Sequence, residues 1–291
     1  MQKTEQHIIL NDQRRLCFAE FGHPEGFPII YFHGSQSSRL EMHYDMSFAV
    51  TQHLRVITID RPGHGISDFN PEGTILSFAH DVKHLTEFLN IERFSVIGMS
   101  AGSAFALGFT YLFPKNIYKT SIVSSFAPYN KDSKKHLNTA VKSMLTIAKH
   151  FPFLLKFLLK TTAKQINTNP KKALGSFLKI MSEPDKNVLK NDAVSLVIET
   201  MFKEAYRNGS EGIAHEISNI LVKDWGFSLE DIQTPVTLWQ GKKDNNVPYK
   251  WAELMKSKMN NATLKLYKDE GHLLIFNFAN EIFTALKANP S

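Results

Sequence analysis

The sequence has a single cysteine, no long apolar run and no phosphate-binding glycine motif, and each absence narrows what the chain can do. Cys17 alone forms no internal disulfide, which is typical of a reducing, cytoplasmic compartment. The polar start of the chain has no apolar segment of the kind found in signal peptides, and no stretch reaches the length of a membrane span. No G-x-G-x-x-G or Walker pattern follows a strand, so we predict no nucleotide cofactor.

Arginine and acidic residues are scarce in one region of the chain. Residues 131–190 contain thirteen Lys, three acidic residues and no Arg, which gives a net charge of 13 − 3 = +10, whereas the whole chain carries +6. The rest of the chain is therefore close to 6 − 10 = −4. Because Arg is the better ligand for phosphates and base edges, we predict no nucleic-acid binding and expect a solvated helical surface. Contact of residues 141–160 with an anionic membrane is the less favoured alternative.

The order of apolar patterns predicts an α/β fold with an insertion. Continuous apolar runs typical of buried strands alternate with helical spacing, and this indicates a parallel sheet covered on both faces. The runs are at residues 28–32, 54–59, 118–123 and 235–240 and from residue 94 to the Gly-Met-Ser segment at 98–100, and residues 262–267 are predicted as a strand in which Leu alternates with Lys. Residues 7–10 and 15–21, on either side of the turn signal Asn11-Asp12, are predicted as two further strands. Between residues 130 and 226 the strand pattern stops, and Lys, Leu and Phe recur at helical spacing. We predict a core of residues 1–129 and 227–291, with residues 130–226 as an inserted cap of four or more helices.

Residues 98–102 read Gly-Met-Ser-Ala-Gly and match the G-x-S-x-G pattern of a serine nucleophile. An apolar strand precedes the pattern and an apolar helix follows it, which is the context that the pattern requires. Gly98 and Gly102 lack a Cβ, so strand and helix can approach each other closely. We therefore predict that Ser100 is a nucleophile at the N-terminus of a helix.

A serine hydroxyl needs a base, and the base needs an orienting carboxylate. Asp244 follows a buried strand and His272 follows the next one, so both side chains are expected at the sheet edge where Ser100 lies. The order Ser, Asp, His is the one that G-x-S-x-G enzymes of α/β architecture use. Three other acids, Asp224, Asp231 and Asp269, do not directly follow a buried strand and are less suitable partners.

Two backbone N–H groups are predicted to bind the oxyanion of an acyl-transfer reaction, those of Ala101 and Ser35. Ala101 follows the nucleophile, and Ser35 lies in the loop after the strand that ends at Phe32. We expect His33 to fix this loop rather than to act as a second base. Arg39, on the same loop, is expected to pair with Glu41 or Asp60 in a structural role.

A metal site is not predicted. His80 and His84 lie one helical turn apart, but no third ligand is evident.

These motifs resemble those of the α/β-hydrolase superfamily over nearly the full length of the chain. The matching segments are HG at residues 33–34, DRPGHGIS at 60–67, GMSAG at 98–102, GKKD at 241–244 and GH at 271–272. Within this superfamily, the chain is similar to the capped, proline-iminopeptidase-like hydrolases. The resemblance implies an eight-stranded, mostly parallel sheet with residues 130–226 as a helical lid.

The site predicts hydrolysis of a small or medium carboxylic ester through an acyl-enzyme, with no cofactor. An aminopeptidase or amidase of the proline-iminopeptidase type is an alternative, and it requires acids in the lid to bind the substrate ammonium. The acids available there are Glu183, Asp185, Glu199, Glu204, Glu211 and Glu216. A non-catalytic receptor on the same scaffold is an alternative of another class. The candidates for an apolar lining of the lid are Met144, Phe151, Phe153, Phe157 and Phe177, and the favoured alternative for any single one of them is a place in the core of the lid itself.

Overall fold

The computed structural model describes residues 2–44, 46–178 and 181–287, and for residues 171, 174, 176 and 177 it describes the backbone alone. Eight strands form one sheet. They are β1 (Gln2–Ile9), β2 (Arg15–Gly22), β3 (Phe27–Phe32), β4 (Leu54–Ile59), β5 (Phe94–Met99), β6 (Ile117–Val123), β7 (Val236–Gly241) and β8 (Ala262–Tyr267). Their order is β1-β2-β4-β3-β5-β6-β7-β8, and β2 alone runs in the direction opposite to the other seven strands. The predicted fold class, an eight-stranded and mostly parallel α/β-hydrolase sheet, is confirmed.

The central strands are apolar on both sides because helices cover both faces of the sheet. Alternate side chains of a strand point to opposite faces. In β3, Ile30 and Phe32 belong to one core cluster, whereas Ile29 and Tyr31 belong to the other, and all four are buried. Burial on both faces explains why this strand reads as a continuous apolar run rather than as an alternating pattern.

Twelve α-helices lie within the described residues. They are α1 (Ser47–Thr51), α2 (Ile75–Phe88), α3 (Gly102–Leu112), α4 (Lys131–Lys134), α5 (Thr139–His150), α6 (Pro152–Thr168), α7 (Pro170–Leu178), α8 (Glu183–Val188), α9 (Asp192–Ala205), α10 (Glu211–His215), α11 (Tyr249–Lys258) and α12 (Leu274–Ala285). Helices α2 and α3 contribute to one core cluster, and α1 and α12 contribute to the other. No helix of the described residues is long and apolar enough to cross a membrane.

The chain between β6 and β7 contains helices α4 to α10, a π-helical turn (Glu216–Leu221) and, among its described residues, no strand. We call residues 130–226 the helical insertion. Its helices α5 and α6 pack against each other, and α9 packs against the 3₁₀ turn Arg39–Met42 of the sheet domain. The insertion therefore covers the loops that follow the carboxyl ends of the strands.

Most strand boundaries agree with the predicted ones to within one residue, and β4 and β8 coincide with them. The first strand was predicted over residues 7–10 but begins at Gln2. Its early residues are polar because an edge strand exposes much of its surface, so they give no apolar signal. Helix α1 was not predicted, since its five residues are too few for helical periodicity to be visible.

Candidate active site

Ser100 lies in the sharp turn between β5 and α3. Its backbone φ is +54°, in the left-handed region that residues other than glycine seldom adopt, and its N–H donates to the Val123 carbonyl at 2.8 Å. A Cβ added at Gly102 would lie 2.2 Å from the carbonyl oxygen of Phe32, and one added at Gly98 would lie 2.7 Å from the carbonyl oxygen of Gly102. Only glycine fits at both positions, so α3 packs directly on the strands and holds Ser100 at its N-terminus.

Asp244 and His272 form a hydrogen-bonded pair after β7 and β8. His272 Nδ1 lies 2.8 Å from Asp244 Oδ2, and Gln240 Nε2 donates to the same oxygen at 3.1 Å. The other oxygen, Oδ1, accepts from the N–H groups of Asn246 and Val247, both at 2.8 Å. These bonds fix the carboxylate. A carboxylate in this position requires a donor at Nδ1 of the neutral imidazole, which leaves Nε2 as the acceptor.

The pKa of His272 is set by opposing effects. Burial lowers it, the charge and hydrogen bond of Asp244 raise it, and the charges of Asp185 and Glu41 raise it further, so that it lies above its usual value. Asp185 belongs to α8 of the helical insertion, and its Oδ1 accepts the N–H of Leu273 at 2.7 Å. The sequence indicated Asp185 only as an acid for a substrate ammonium, because nothing local signals a contact 88 residues away.

Ser35 and Ala101, whose backbone N–H groups are the predicted oxyanion donors, line the same cavity as Ser100 and His272. Within the described part of the chain, neither N–H donates a hydrogen bond to another protein group. A Cβ built on Gly34 would lie 3.6 Å from Ser100 Cβ, so the loop after β3 is in close contact with the nucleophile turn. The structure thus brings four of the five predicted site residues to one cavity, and Asp244 contacts it through His272.

Arg61 stabilises the loop after β3 through hydrogen bonds of its guanidinium. Its guanidinium donates to the carbonyl of His33, to the carbonyl of Gly34 at 2.9 Å and to Glu216 of the insertion at 2.9 Å. His33 Nδ1 lies 2.8 Å from the Gly34 carbonyl, and its Nε2 accepts the Arg61 N–H at 3.3 Å. Burial holds the pKa of His33 well below its usual value, so His33 is neutral and both ring nitrogens are engaged. These contacts fit the loop-fixing role that we predicted.

Arg39 donates hydrogen bonds to two carboxylates, and a third, that of Glu5, lies 3.9 Å from its guanidinium. It donates to Asp60 at 2.7 Å, one of the two acids that the sequence suggested, and to Glu204 of α9 at 2.8 Å. Its side chain and that of Asp60 are buried. With the Arg61–Glu216 pair, this contact ties the loops after β3 and β4 to the helical insertion. Breaking a buried pair by removing one partner is costly, so these contacts favour a fixed position of the insertion.

Glu41 is the site residue whose role the sequence did not reveal. Its Oε2 accepts from the Gly34 N–H at 2.9 Å and from the Tyr31 hydroxyl at 3.0 Å, and the residue lines the cavity. Burial raises the pKa of Glu41 to about 7, although both hydrogen bonds and the charge of Arg61 oppose this shift. The sequence holds one signal for this role, since Glu41 is the one acid among residues 33–42, the loop that follows β3.

The cavity beside Ser100 has a volume of about 310 Å³ and a mostly apolar wall. The insertion supplies much of this wall, from α5, α9 and the π-helical turn. Of the predicted lining residues, Met144 lies in the wall, but the predictions for Phe151, Phe153 and Phe157 are wrong because these side chains point to solvent. The side chain of Phe177 lies outside the described residues. Met181, Ile198, Met201 and Phe202 line the wall and were not predicted.

Neither the histidine pair His80 and His84 nor Cys17 lines this cavity. His80 packs edge-on against Phe113, and no three His, Cys, Asp or Glu side chains are grouped as a metal site in the described ranges. Cys17 is buried, and burial raises the pKa of its thiol to about 11. A thiol with this pKa is inert at neutral pH.

Comparison with known proteins agrees with the fold. A family model described as "alpha/beta hydrolase fold" matches residues 28–279. The chain is 28% identical to 3-oxoadipate enol-lactonase 1 of Acinetobacter baylyi over 127 residues, 44% of this chain and less than half (48%) of that protein. It is 25% identical to a non-heme chloroperoxidase of Streptomyces lividans over 276 residues, 91% of this chain and 92% of that protein.

Solved structures share the same architecture. An esterase from Exiguobacterium antarcticum superposes with a TM-score of 0.66, with 18% identity and 97% of both chains covered. The proline-iminopeptidase-like subtype stays a prediction. The family model spans most of the chain and the sheet has the required topology, so the chain belongs to the α/β-hydrolase family.

Proposed function

We propose that this α/β hydrolase cleaves a carboxylic ester with an apolar acyl part through an acyl-enzyme on Ser100. The observation that carries the proposal is that Ser100 shares a cavity with His272, whose Nδ1 is bonded to the fixed carboxylate of Asp244. A base held in this tautomer is what a serine nucleophile requires.

The proposed reaction has two halves. His272 Nε2 takes the Ser100 proton as Oγ attacks the ester carbonyl carbon, and the N–H groups of Ser35 and Ala101 bind the oxyanion. The protonated His272 then gives this proton to the leaving alcohol, and the acyl group stays on Ser100. In the second half, water loses a proton to His272 and attacks the acyl carbon. The bond between this carbon and Oγ then breaks, the acid is released, and Oγ takes the proton from His272, which restores the serine.

The reaction requires a neutral His272, and this sets its pH dependence. Because the pKa of His272 is raised above its usual value, we expect the rate of ester cleavage to increase with pH through that pKa. The negative charges of Asp244 and Asp185 also stabilise the imidazolium that forms in each half of the reaction.

The apolar wall and the scarcity of acids favour an ester over an aminopeptidase substrate. Of the lid acids considered for binding an ammonium, none lines the cavity within the described residues. Four of them are held in ion pairs: Glu183 with Lys186, Glu204 with Arg39, Glu211 with Lys156 and Glu216 with Arg61. Glu41 is the one acid in the wall, and its Oε2 already accepts two hydrogen bonds.

The similarity to an enol-lactonase supports the same chemistry, since a lactone is a cyclic ester. The chloroperoxidase is similar over a larger part of the chain, and its name indicates a different reaction. We therefore base the choice of an ester on the cavity and on the proposed base–carboxylate pair, and use the lactonase as secondary support.

The test is a panel of p-nitrophenyl acetate, p-nitrophenyl butyrate and proline p-nitroanilide, together with labelling by a fluorophosphonate. We expect turnover of the esters, little or no turnover of the anilide, and loss of both turnover and labelling in Ser100→Ala. The control is Ser257→Ala, on the exposed side of α11, which should behave as the wild type. A folded wild-type protein with no turnover and no labelling would favour the receptor alternative, and preferred turnover of the anilide would favour the aminopeptidase.

A further inference from the structure

Helix α6 of the insertion is apolar on two opposite faces. Its inner face packs into the core through Leu155, Leu159, Ala163 and Ile166, which are all buried. At 100° per residue, Phe153 and Phe157 lie on the other side of the helix. Their exposed fractions are 74% and 67%. A helix that only covers the domain needs one apolar face, so the outer face requires a separate explanation.

The exposed phenylalanines belong to a larger cluster. Phe151, Leu154 and Leu158 are also exposed and lie within the same eight residues of chain. We call Phe151, Phe153, Leu154, Phe157 and Leu158 the outer patch. Single exposed apolar residues are normal, but a contiguous group of five large ones is characteristic of an interaction site.

The charged residues of the chain segment that carries the outer patch are all lysines. Residues 133–182 contain ten Lys and no Asp or Glu. Lys160 and Lys164 are exposed and follow Phe153 and Phe157 along the same side of α6. Lys156 lies at the flank of the helix and contacts Glu211 of α10. Lysine stems can lie along apolar surface while their ammonium groups reach outward, so Lys160 and Lys164 place positive charge beside the outer patch without covering it.

We infer that the outer patch docks on an anionic membrane surface, with its aromatic side chains in the headgroup region and the lysines on lipid phosphates and carboxylates. Exposed Phe and Leu beside Lys on one helix face is the pattern of a helix that lies in the interface. A second copy of the chain is a poor occupant, because the two patches would bring like charges together. The absence of acids over fifty residues is instead complementary to a negative surface.

The docking surface is one helix away from the cavity. Helix α5 packs against α6, and Val141, Met144 and Leu145 of α5 form part of the cavity wall. Met144 is itself partly exposed. A protein docked through the outer patch therefore has the α5 wall of its cavity close to the lipid surface. The docking itself involves no catalytic step and does not depend on the proposed ester hydrolysis.

The test is co-sedimentation of the full chain with vesicles, at low ionic strength, of phosphatidylcholine alone and of phosphatidylcholine mixed with phosphatidylserine. We expect binding to the mixed vesicles, little binding to the neutral ones, and weak binding in about 1 M salt, where the Debye length is about 3 Å. The double variant Phe153→Ser/Phe157→Ser should bind at least tenfold more weakly, because two large apolar side chains no longer enter the interface. Lys160→Gln/Lys164→Gln should also lose about tenfold or more.

The matched control is Phe88→Ser, which removes an equally exposed phenylalanine (60%) from α2 of the sheet domain and should leave vesicle binding unchanged. Circular dichroism and thermal unfolding check that each variant is folded. Absence of wild-type binding to the mixed vesicles overturns the inference. So does unchanged binding of the Phe153→Ser/Phe157→Ser variant, or a wild-type dimer in analytical ultracentrifugation that this variant converts to a monomer, since the patch would then be a contact between copies.

Discussion

Replacing Asp244 by Asn keeps the shape of the side chain and reverses one of its hydrogen bonds. Oδ1 of Asp244 accepts two backbone N–H groups, so the amide oxygen of the variant takes this side. The amide NH₂ then occupies the position of Oδ2, where it donates to Nδ1 of His272. The imidazole must carry its proton on Nε2, and it can no longer accept the proton of Ser100.

A rotation of the neighbouring amide does not relieve this change. Gln240 Nε2 donates to Asp244 Oδ2, and in the variant it would face the new NH₂ group. Gln240 is held in this orientation because its Oε1 accepts the N–H of Ser125 at 2.9 Å. We therefore expect a loss of stability of about 1–3 kcal/mol, the usual cost of leaving a buried polar group without a partner.

The expected loss of kcat/KM is on the order of 10⁴-fold, which corresponds to about 5.5 kcal/mol of transition-state stabilisation. The assay is the initial rate of p-nitrophenyl butyrate cleavage, with thermal unfolding to show that the variant is folded. Asp231→Asn is the matched control, since Asp231 is an exposed acid of the 3₁₀ turn Leu229–Asp231 and should be neutral for activity. An Asp244→Asn enzyme that keeps its activity to within about tenfold would refute the assigned tautomer and with it the proposed base.

Two further predictions concern stability. The pKa of Glu41 is raised to about 7 in the folded protein, so the folded state binds more protons than the unfolded state between roughly pH 4.5 and 7, and this contribution is lost as the pH rises through that window. Glu41→Gln keeps the acceptor for Gly34 and Tyr31 without the charge. Its free energy of unfolding, measured in urea and compared with that of the wild type, should therefore increase by on the order of 3 kcal/mol from pH 5 to pH 8. A difference between the two proteins that does not change with pH would contradict this. Gly102→Ala places a Cβ against the Phe32 carbonyl and should lower the free energy of unfolding by about 2 kcal/mol or more, whereas Gly175→Ala, with open space around it on α7, should raise it by about 0.5–1 kcal/mol. Equal effects of the two glycine substitutions would show that α3 can move away from the sheet.

Buried parallel strands were the most predictable elements of this chain. The bounds of β4 were predicted to the residue, because an apolar run between turn residues is a local signal that burial in the sheet reinforces. Those of β8, an edge strand, were also predicted to the residue, because Leu264 and Leu266 alternate with Lys265. The edge strand β1 was predicted too short for the opposite reason, since polar residues at an edge are compatible with strand and loop alike.

The residues of the candidate site also differ in whether the sequence could predict them. Ser100, Asp244 and His272 were identified because each follows a strand, and in a parallel sheet the strand ends share one edge. Glu41 and Asp185 were not recognised as part of the site, because each acts through a contact that no sequence pattern reports: Glu41 on the Gly34 N–H, and Asp185 on the Leu273 N–H.

The helical insertion shows where local patterns fail. Its Phe residues were predicted to line the cavity, but Phe153 and Phe157 point outward and the methionines Met181 and Met201 line the wall instead. Helix α6 is apolar on both faces, so its periodicity does not indicate which face packs inward.

By itself, the sequence determined the α/β architecture, the nucleophile turn at Ser100 and the strand ends that carry Asp244 and His272, because hydrophobic periodicity and glycine spacing are properties of neighbouring residues. The tertiary structure alone decided which face of α6 is left exposed, how Arg39 and Arg61 tie the insertion to the sheet, and which side chains form the cavity wall. These features depend on contacts between elements distant in the chain, 165 positions apart for Arg39 and Glu204 and 155 for Arg61 and Glu216, and such contacts are chosen by the packing of the whole chain rather than by any local preference.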